Sequence, residues 1–291
     1  MADPRRWRVG DVSITAVLEV SWPLQLSWMI VDASDDAVRD LPWVRDGGWV
    51  SDAGEMTIAV QMFVVESRGR RIVVDTCAGN GKRRTGVVSI FDQLAGDLDA
   101  RVGTAGFPFD TIDTVVCTHL HFDHVGWNTR FDGDRWQPSF RGARYVFSAA
   151  DLAHWSQRGD EMHAGAFDDS VQPVIDAGLV EAVEPPYTLT SEVRLVPTPG
   201  HTPGHSSVWI SSQGNEAVIT GDMVHHPVQL ARPSWRDISD VDHERAASTR
   251  RAFVDQVAGA GVLVLGTHFP APTAGTVQPE RGDLRFVVSS S

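Results

Sequence analysis

Cysteine is scarce in this 291-residue chain, which contains only Cys77 and Cys117. Both lie in or beside apolar stretches, so we expect two buried free thiols and no disulfide framework. The same scarcity excludes the cysteine-based motifs of structural zinc sites. Residues 1–7 lack the apolar core of a signal peptide. A cytoplasmic location is therefore the default expectation.

Positive charge is also limited, with 25 Lys and Arg against 38 Asp and Glu and a formal net charge of −13. Nucleic acids and anionic membrane surfaces require clustered basic side chains, so we expect neither as a partner. No stretch approaches the roughly 18 consecutive apolar residues that span a bilayer. The composition, 42% hydrophobic and 22% charged, is typical of a globular protein. We predict one domain over residues 1–291.

Apolar runs predict strands, and apolar residues at helical spacing predict helices. Predicted strands cover residues 9–20, 57–66, 70–75, 113–118, 145–147, 193–197, 206–211 and 217–220, with a final strand at 262–265. Predicted helices cover residues 88–102, 149–158 and 242–258. Ser148 and Asp151 have the spacing of a capping box for the second helix. Residues 131–143 are predicted to be a polar loop.

Residues 21–56 contain four of the ten tryptophans, Trp22, Trp28, Trp43 and Trp49. Their poor periodicity predicts a long loop with one or two short helices. Long loops in compact domains often act as lids or binding loops. Two interpretations stay open, since these indoles could line a substrate cleft or could fill the core or a homodimer contact.

The densest chemical pattern is Thr-His-Leu-His-Phe-Asp-His at residues 118–124. Neutral imidazole and carboxylate are ligands that borderline metals such as zinc prefer. In an extended segment, residues two apart point to the same side, so His119 and His121 can bind one ion. Asp123 and His124 follow at a turn and can bind at a second point nearby. The alternative is a polar loop with three accidental histidines.

Three later apolar strands also end in metal-capable residues, at His201, Asp222 and His268. Ligands at the ends of several strands can converge on one edge of a sheet. We predict two divalent ions, most simply Zn²⁺. His119, His121 and His201 would bind one ion, Asp123, His124 and His268 would bind the other, and Asp222 would bridge them.

Two further polar residues accompany this pattern. Asp75 ends a buried strand, where a carboxylate is costly unless it is paired. It is predicted either to hold a metal-binding histidine from behind or to cap a turn. His205 follows a Pro-Gly pair, and we expect it to hydrogen-bond its own loop rather than a metal.

These residues resemble the metallo-β-lactamase superfamily. The resemblance rests on His-x-His-x-Asp-His at 119–124, Pro-Gly-His-Thr-Pro-Gly-His at 199–205, Gly-Asp at 221–222 and His268, in this order. It implies an α/β fold, an αββα sandwich with a dinuclear metal site at one edge of the two sheets. Within the superfamily the chain looks most like quorum-quenching lactonases and parathion-hydrolase-like enzymes.

His225 departs from the lactonase pattern, which usually has a tyrosine three residues after the bridging aspartate. A histidine there looks more like the parathion-hydrolase-like branch. We interpret His225 as a substrate-facing group that donates a hydrogen bond to the developing oxyanion. The alternative is a supporting or exposed histidine.

The resemblance implies a metal-dependent hydrolase in which a metal-bridging hydroxide cleaves a lactone or a carboxylic ester. Asp123 would orient the nucleophile and carry a proton to the leaving group. The acidic surface and the tryptophans favour a small, neutral, partly apolar substrate. A phosphotriesterase and a non-catalytic metal-binding protein remain as alternatives.

Overall fold

A computed structural model describes residues 3–157 and 165–289. Its strands form two seven-stranded sheets and one separate hairpin. In chain order they are β1 (Arg5–Val9), β2 (Val12–Gln25), β3 (Glu55–Ser67), β4 (Arg70–Val74), β5 (Thr114–Val116), β6 (Thr129–Phe131), β7 (Trp136–Pro138), β8 (Arg144–Ser148), β9 (Val180–Val183), β10 (Tyr187–Thr190), β11 (Val193–Pro197), β12 (Ser206–Ser212), β13 (Asn215–Ile219), β14 (Leu263–Leu265), β15 (Ala274–Glu280) and β16 (Asp283–Val288). The first sheet has the order β1-β2-β3-β4-β5-β8-β9, and the second runs from β10 to β16 in sequence order.

Helices cover the outer faces of both sheets. The α-helices are α1 (Leu26–Met29), α2 (Asp35–Arg39), α3 (Pro42–Asp46), α4 (Leu98–Thr104), α5 (Phe122–Val125), α6 (Ala149–Trp155), α7 (Gln172–Asp176), α8 (Val228–Ala231) and α9 (His243–Val257). Short 3₁₀ segments lie at Gly86–Phe91, Phe109–Thr111, Gly126–Asn128 and Gly221–Met223. Among the described residues, no helix has the length and apolar character needed to cross a membrane.

Three layers of buried apolar side chains hold the sheets and helices together. The central layer lies between the sheets and includes Val65 and Val116 from the first and Val208 and Ile219 from the second. One outer layer packs α4 to α7 on the first sheet. The other packs α1 to α3, α8 and α9 on the second sheet. This arrangement confirms the predicted αββα sandwich.

Parallel strand pairs in each sheet place the following loops at one edge. In the first sheet β4 and β5 are parallel, with Val74 opposite Val116. In the second sheet β13 and β14 are parallel, with Ile219 opposite Leu265. Because parallel strands end at the same edge, the loops after these four strands lie close together.

Most predicted strands are found within about three residues of their predicted limits, and the predicted strand 193–197 coincides with β11. The last predicted helix is α9, and its N-cap Asp242 accepts a hydrogen bond from the Arg245 N–H. Cys77 and Cys117 are buried and free, as predicted.

Two predictions about strands are wrong. The predicted strand 9–20 is a hairpin, because Gly10 has a φ of +57° and turns the chain between β1 and β2. The strand at 262–265 is not the last, since β15 and β16 continue the second sheet. The predicted polar loop 131–143 also contains part of the β6–β7 hairpin. In these places turns and long-range pairing decide the structure.

The predicted helix 88–102 is also wrong, because the 3₁₀ segment Gly86–Phe91 and α4 are separate. Between them, the N–H of Gln93 donates to Lys82 and the carbonyl of Leu94 accepts from Gly81. These bonds to a neighbouring loop replace the i to i−4 bonds of a continuous helix.

The predicted helix 149–158 is α6, and residue 158 lies outside the described residues. Its predicted capping box is wrong, because the Ser148 side chain makes no capping bond. The carboxylate of Asp151 instead accepts bonds from the N–H groups of Leu120 and Gly204 and from the Thr202 hydroxyl. Asp151 thereby joins the two histidine-bearing loops.

Candidate metal centre

The loops at the shared sheet edge bring all seven predicted ligands together. Their donor atoms form two main groups, in each of which the atoms lie within 4.8 Å of one another. One group contains His119, His121, His201 and Asp222, and the other contains Asp123, His124 and His268. The grouping matches the predicted allocation, and the binding of metal by these residues stays a prediction.

The first group consists of ring nitrogens that face one another. Nε2 of His201 lies 3.2 Å from Nε2 of His119 and 3.0 Å from Nδ1 of His121. It also lies 3.5 Å from Oδ2 of Asp222. All three imidazoles are buried. Nitrogen atoms that converge in this way suit a shared cation, since burying such polar groups without a partner is costly.

The second group surrounds the other oxygen of Asp222. Its Oδ1 lies 3.1 Å from Nε2 of His124 and 3.1 Å from Nε2 of His268. Within the described chain, Asp222 Oδ1 and His124 Nε2 are buried and make no hydrogen bond. Asp123 is farther out, with carboxylate oxygens 3.8 Å from His124 and 3.7 Å from His268. These unsatisfied atoms and the imidazole–carboxylate donor set fit a pair of divalent ions.

A polar group behind the ring fixes several of these histidines. Such partners orient a metal-binding imidazole and set its tautomer. The nitrogens that point away from the centre lie next to these partners: His119 Nδ1 at 3.1 Å from Thr118 Oγ1, His124 Nδ1 at 2.9 Å from Asp75, His201 Nδ1 at 3.4 Å from Asp240, and His268 Nδ1 at 2.8 Å from the Ala59 carbonyl.

Asp75 lies behind His124, as the first of its two predicted alternatives requires. Its carboxylate lies beside His124 and also accepts bonds from the Thr118 N–H at 2.7 Å and the Thr118 hydroxyl at 2.9 Å. Its φ of +57° is uncommon for a residue other than glycine and costs about 1 kcal/mol or more. The surrounding bonds stabilise this conformation, so Asp75 ties the histidine motif to the end of β4.

His205 bonds its own loop at Thr198, as predicted, and it also supports the loop that carries Asp222. Its Nε2 accepts a bond from the Asp222 N–H at 2.9 Å, and its Nδ1 lies 2.8 Å from the Thr198 hydroxyl. Gly221 makes this contact possible, because it has a φ of +57° and a Cβ there would lie 2.5 Å from His205 Nε2. Burial lowers the pKa of His205, which keeps Nε2 available as an acceptor.

A cavity of about 550 Å³ opens onto the centre. Its polar end contains His121, Asp123, Asp222, His225 and His268. Its walls are mainly apolar and include Trp22, Leu24, Trp28, Met29, Ile58, Val87, Val88, Ile90, Phe91, Phe122 and Ile238.

The four tryptophans of residues 21–56 divide between the two interpretations. Trp22 and Trp28 line the cavity, whereas Trp43 and Trp49 are buried against the second sheet. The segment contains three short helices rather than one or two, and its first residues belong to β2. It therefore supplies both a cavity wall and part of the core.

His225 faces the same centre. Its Nε2 lies 3.1 Å from Oδ2 of Asp222, and its Nδ1 lies 3.0 Å from Oδ2 of Asp237. Its ring is parallel to that of His268, with centroids 5.3 Å apart. The structure thus places His225 beside the predicted bridging carboxylate and at the edge of the cavity.

Residues 57–268 match the family model of the metallo-β-lactamase superfamily. The chain belongs to this superfamily. Its two packed sheets agree with this assignment.

Several known proteins are similar to this superfamily member. N-acyl homoserine lactonase AiiA of Bacillus thuringiensis subsp. kurstaki is 25% identical over 114 residues, and a lactonase of a Bacillus species is 27% identical over 114 residues. The chain spans about two-fifths of the length of these curated relatives, since each match covers 39% of either protein.

Two solved structures share the fold over nearly their whole length. The hydrolase AbOPH has a TM-score of 0.80 at 22% identity, with 99% of this chain and 97% of that chain covered. AidC, a dizinc quorum-quenching lactonase, has a TM-score of 0.78 at 19% identity, with coverage of 99% and 98%. At these identities the likeness concerns the fold.

The electrostatic balance of this metallo-β-lactamase-like centre depends on Asp222. Burial alone would raise the pKa of its carboxyl, but His124, His268 and His225 outweigh burial and hold the pKa well below its usual range. Burial also lowers the pKa of His119, and the neighbouring His124 lowers it further. An ionised carboxylate among buried imidazoles is suited to attract cations.

The sequence offered no signal for Asp237 and Asp240, which lie behind His225 and His201. Both are buried, in an irregular segment between α8 and α9. Burial raises the pKa of Asp237, yet His225 outweighs it and the pKa is about 2. Spacing along the chain does not reveal such partners, because they meet the histidines through tertiary contact.

Proposed function

We propose that this chain is a dinuclear metal-dependent hydrolase that cleaves a lactone or carboxylic ester of a small, neutral, partly apolar compound. The observation that carries the proposal is the position of the seven converging donor residues at the polar end of an apolar cavity. When bound, two divalent ions, most simply Zn²⁺, would supply Lewis-acid activation of a carbonyl and of a water molecule.

The residues proposed to hold these ions are those predicted from the sequence. His119, His121 and His201 would hold one ion, Asp123, His124 and His268 would hold the other, and Asp222, which faces both sets, would be shared between them. The buried polar groups behind the rings limit their rotation. The chain therefore presents a site that needs little rearrangement to bind metal.

Asp123 and His225 are the proposed catalytic residues. Asp123 is more exposed than Asp222, the other carboxylate in the centre, with 14% of its side chain accessible against 3%. It would accept a proton from the attacking water and return it to the leaving oxygen as the C–O bond breaks. With both ring nitrogens protonated, between the carboxylates of Asp237 and Asp222, His225 would donate a hydrogen bond from Nε2 to the oxygen that gains charge during the attack.

The cavity walls support a substrate with an apolar part. Trp22, Phe91 and Ile58 are among the apolar residues that line the cavity. Burying apolar surface against them contributes about 25 cal/mol per Å². The net charge of −13 disfavours anionic substrates. Together these features favour a neutral lactone or ester with a hydrocarbon chain.

A phosphotriesterase is the second candidate, and the observation that favours it is His225. The lactonase pattern usually has a tyrosine at this position. The imidazole could support the equatorial oxygen of a phosphotriester in the same way as a carbonyl oxygen. The apolar cavity suits either neutral substrate class.

A substrate panel separates these functions. Protein loaded with Zn²⁺, Co²⁺ or Mn²⁺ is assayed on N-acyl homoserine lactones, aryl esters and an aryl phosphotriester. We expect kcat/KM to be highest on a lactone or an ester. A preference for the phosphotriester would assign the second candidate, and no hydrolysis of any of these substrates would overturn the hydrolase proposals for this site.

A further inference from the structure

Asp237 lies directly behind His225, on the side away from the metal centre. Its Oδ2 is 3.0 Å from Nδ1 of His225, whose Nε2 faces Asp222 at 3.1 Å. Both side chains are buried. With Nδ1 held by a carboxylate, the ring has one nitrogen left to present to the cavity.

The second oxygen of Asp237 is held by its own loop. Its Oδ1 accepts bonds from the Ser239 N–H at 2.9 Å and from the Ser239 hydroxyl at 2.5 Å. The carboxylate therefore has contacts at both oxygens, which restrict its rotation. A group fixed in this way can transmit a defined orientation to the imidazole that it contacts.

The segment that carries Asp237 is fastened to the wall of the cavity. The Val31 N–H donates to the Arg236 carbonyl, and the Ile238 N–H donates to the Met29 carbonyl, both at 2.9 Å. Arg236 also forms an ion pair with Asp32 at 2.7 Å. The position of Asp237 is thus set by main-chain bonds on both sides of it.

Asp240, three residues later, provides a useful contrast. It lies 3.4 Å from His201 and is paired with the buried guanidinium of Arg250 at 3.0 Å. For Asp237, by contrast, His225 is the sole basic side chain within ion-pair distance in the described part of the chain. A buried carboxylate without a partner is costly, so Asp237 and His225 depend on each other.

We propose that Asp237 is a positioning residue for His225 and holds Nδ1 so that Nε2 faces the substrate. The expected effect of Asp237 on turnover rests on the function proposed above. Loss of the carboxylate frees the ring to rotate, which misplaces the hydrogen bond to the developing oxyanion. The apolar walls that bind the substrate stay in place, so kcat falls and KM changes little.

The contact between Asp237 and Nδ1 of His225 is tested without substrate. Long-range ¹H–¹⁵N spectra of the ¹⁵N-labelled, Zn²⁺-loaded protein report which ring nitrogens of each histidine carry a proton, and His225→Gln assigns the His225 signals. We expect an Nδ1–H signal from His225 that disappears in Asp237→Ala and persists, shifted, in Asp237→Asn. An unchanged His225 signal in Asp237→Ala would overturn the proposal, whether or not a substrate is known.

A double-mutant cycle tests the effect on turnover. We expect Asp237→Ala to lower kcat about 10- to 100-fold in the wild-type background and less than about twofold in the His225→Gln background, since coupled residues are not additive. Equal losses in both backgrounds would show that Asp237 acts independently of His225 and would overturn the proposal.

Two controls accompany this cycle. Asp36→Ala removes the exposed ion pair with Arg39 on α2, which does not contact this segment's carboxylate, and is expected to change kcat less than about twofold, as is usual for exposed pairs. Elemental analysis is expected to find equal metal content in wild type and in Asp237→Ala. Loss of metal in Asp237→Ala would place its role at the metal ligands and would contradict the proposal.

Discussion

The polar floor and the apolar wall of the cavity are built in different ways. The floor consists of loops that follow β5, β13 and β14, which are paired inside the two sheets. The wall consists largely of short elements, α1, the 3₁₀ segment Gly86–Phe91 and the loop around Ile238. Its side chains are partly solvent-exposed, including Trp28 at 48% and Ile90 at 52%.

This difference separates two tasks. The floor is buried and multiply hydrogen-bonded, so it suits chemistry that needs fixed geometry. The wall has fewer constraints, so its residues can change without disturbing the sheets. Substitutions in the floor should therefore affect metal content and kcat, while substitutions in the wall should affect KM.

The largest effect is expected for Asp222→Ala. It removes the carboxylate that faces His124, His201 and His268, and leaves these imidazoles without their shared anion. We expect loss of at least one ion per chain and a fall in kcat/KM of more than about 100-fold, beyond the range for supporting residues. Elemental analysis and the hydrolysis assay measure the two effects.

The matched control for this substitution is Glu216→Ala. Glu216 is an exposed acidic residue on the same strand that leads to Asp222, and it lies away from the centre. It is expected to leave metal content and kcat/KM unchanged. Full metal content and full activity in Asp222→Ala would show that Asp222 is not part of the proposed centre.

An intermediate effect is expected for Asp75→Ala, which leaves the donor set intact. The substitution removes the carboxylate behind His124 and two bonds to Thr118. We expect about a 10- to 100-fold weaker affinity for one ion. Competition with a chromophoric chelator measures it, with the exposed Asp110→Ala as control. An affinity equal to that of wild type would show that the floor does not depend on Asp75.

A smaller effect, of a different kind, is expected for Trp28→Ala in the wall. We expect KM for a long-chain lactone to rise about tenfold, equivalent to about 1.4 kcal/mol, with kcat unchanged. Phe131→Ala is the matched control, because Phe131 is 53% exposed on the β6–β7 hairpin and does not line the cavity. A fall in kcat without a change in KM would contradict the division between floor and wall.

The smallest effect on turnover is expected for Lys82→Met. Burial lowers the pKa of Lys82 to about 7, although Asp169 opposes the shift. The unfolded chain therefore binds more protons than the folded chain between about pH 7 and pH 10.5, so this residue makes stability rise with pH.

Removal of Lys82 should reduce the increase in folding stability between pH 7 and pH 9 without changing kcat. Urea unfolding of the metal-loaded protein at pH 7 and pH 9 measures the free energy of unfolding, with the exposed Arg83→Met as control. An equal pH dependence in wild type and Lys82→Met would contradict the shifted pKa.

The floor was largely predictable from the sequence and the wall was not. Histidines and aspartates at the ends of apolar runs identify the converging loops, because strand ends meet at a sheet edge. Trp28 and Ile238 carry no such signal, since short helices and irregular loops have no long period. Whether a tryptophan such as Trp28 or Trp43 faces the cavity or the core depends on how the segment packs.

The carboxylates behind the histidines were also only partly predictable from the sequence. Asp75 was predictable as a polar residue at a strand end. Asp237 was not, because its bridge to Ile30 joins segments about 200 residues apart. The separation of the predicted helix 88–102 has a similar origin, in main-chain bonds that join Gln93 and Leu94 to the preceding loop at Lys82 and Gly81. In each case a contact outside the segment itself decides what local spacing cannot.

The most direct test of the proposed function is a Zn²⁺ titration of metal-free protein, followed by hydrolysis of an N-acyl homoserine lactone at each step. We predict that activity rises with added metal and reaches its maximum at two ions per chain, with the ring-opened acid as product. Full lactone hydrolysis by the metal-free protein, or no hydrolysis with two ions bound, would contradict the proposal that this centre is a dinuclear lactone hydrolase.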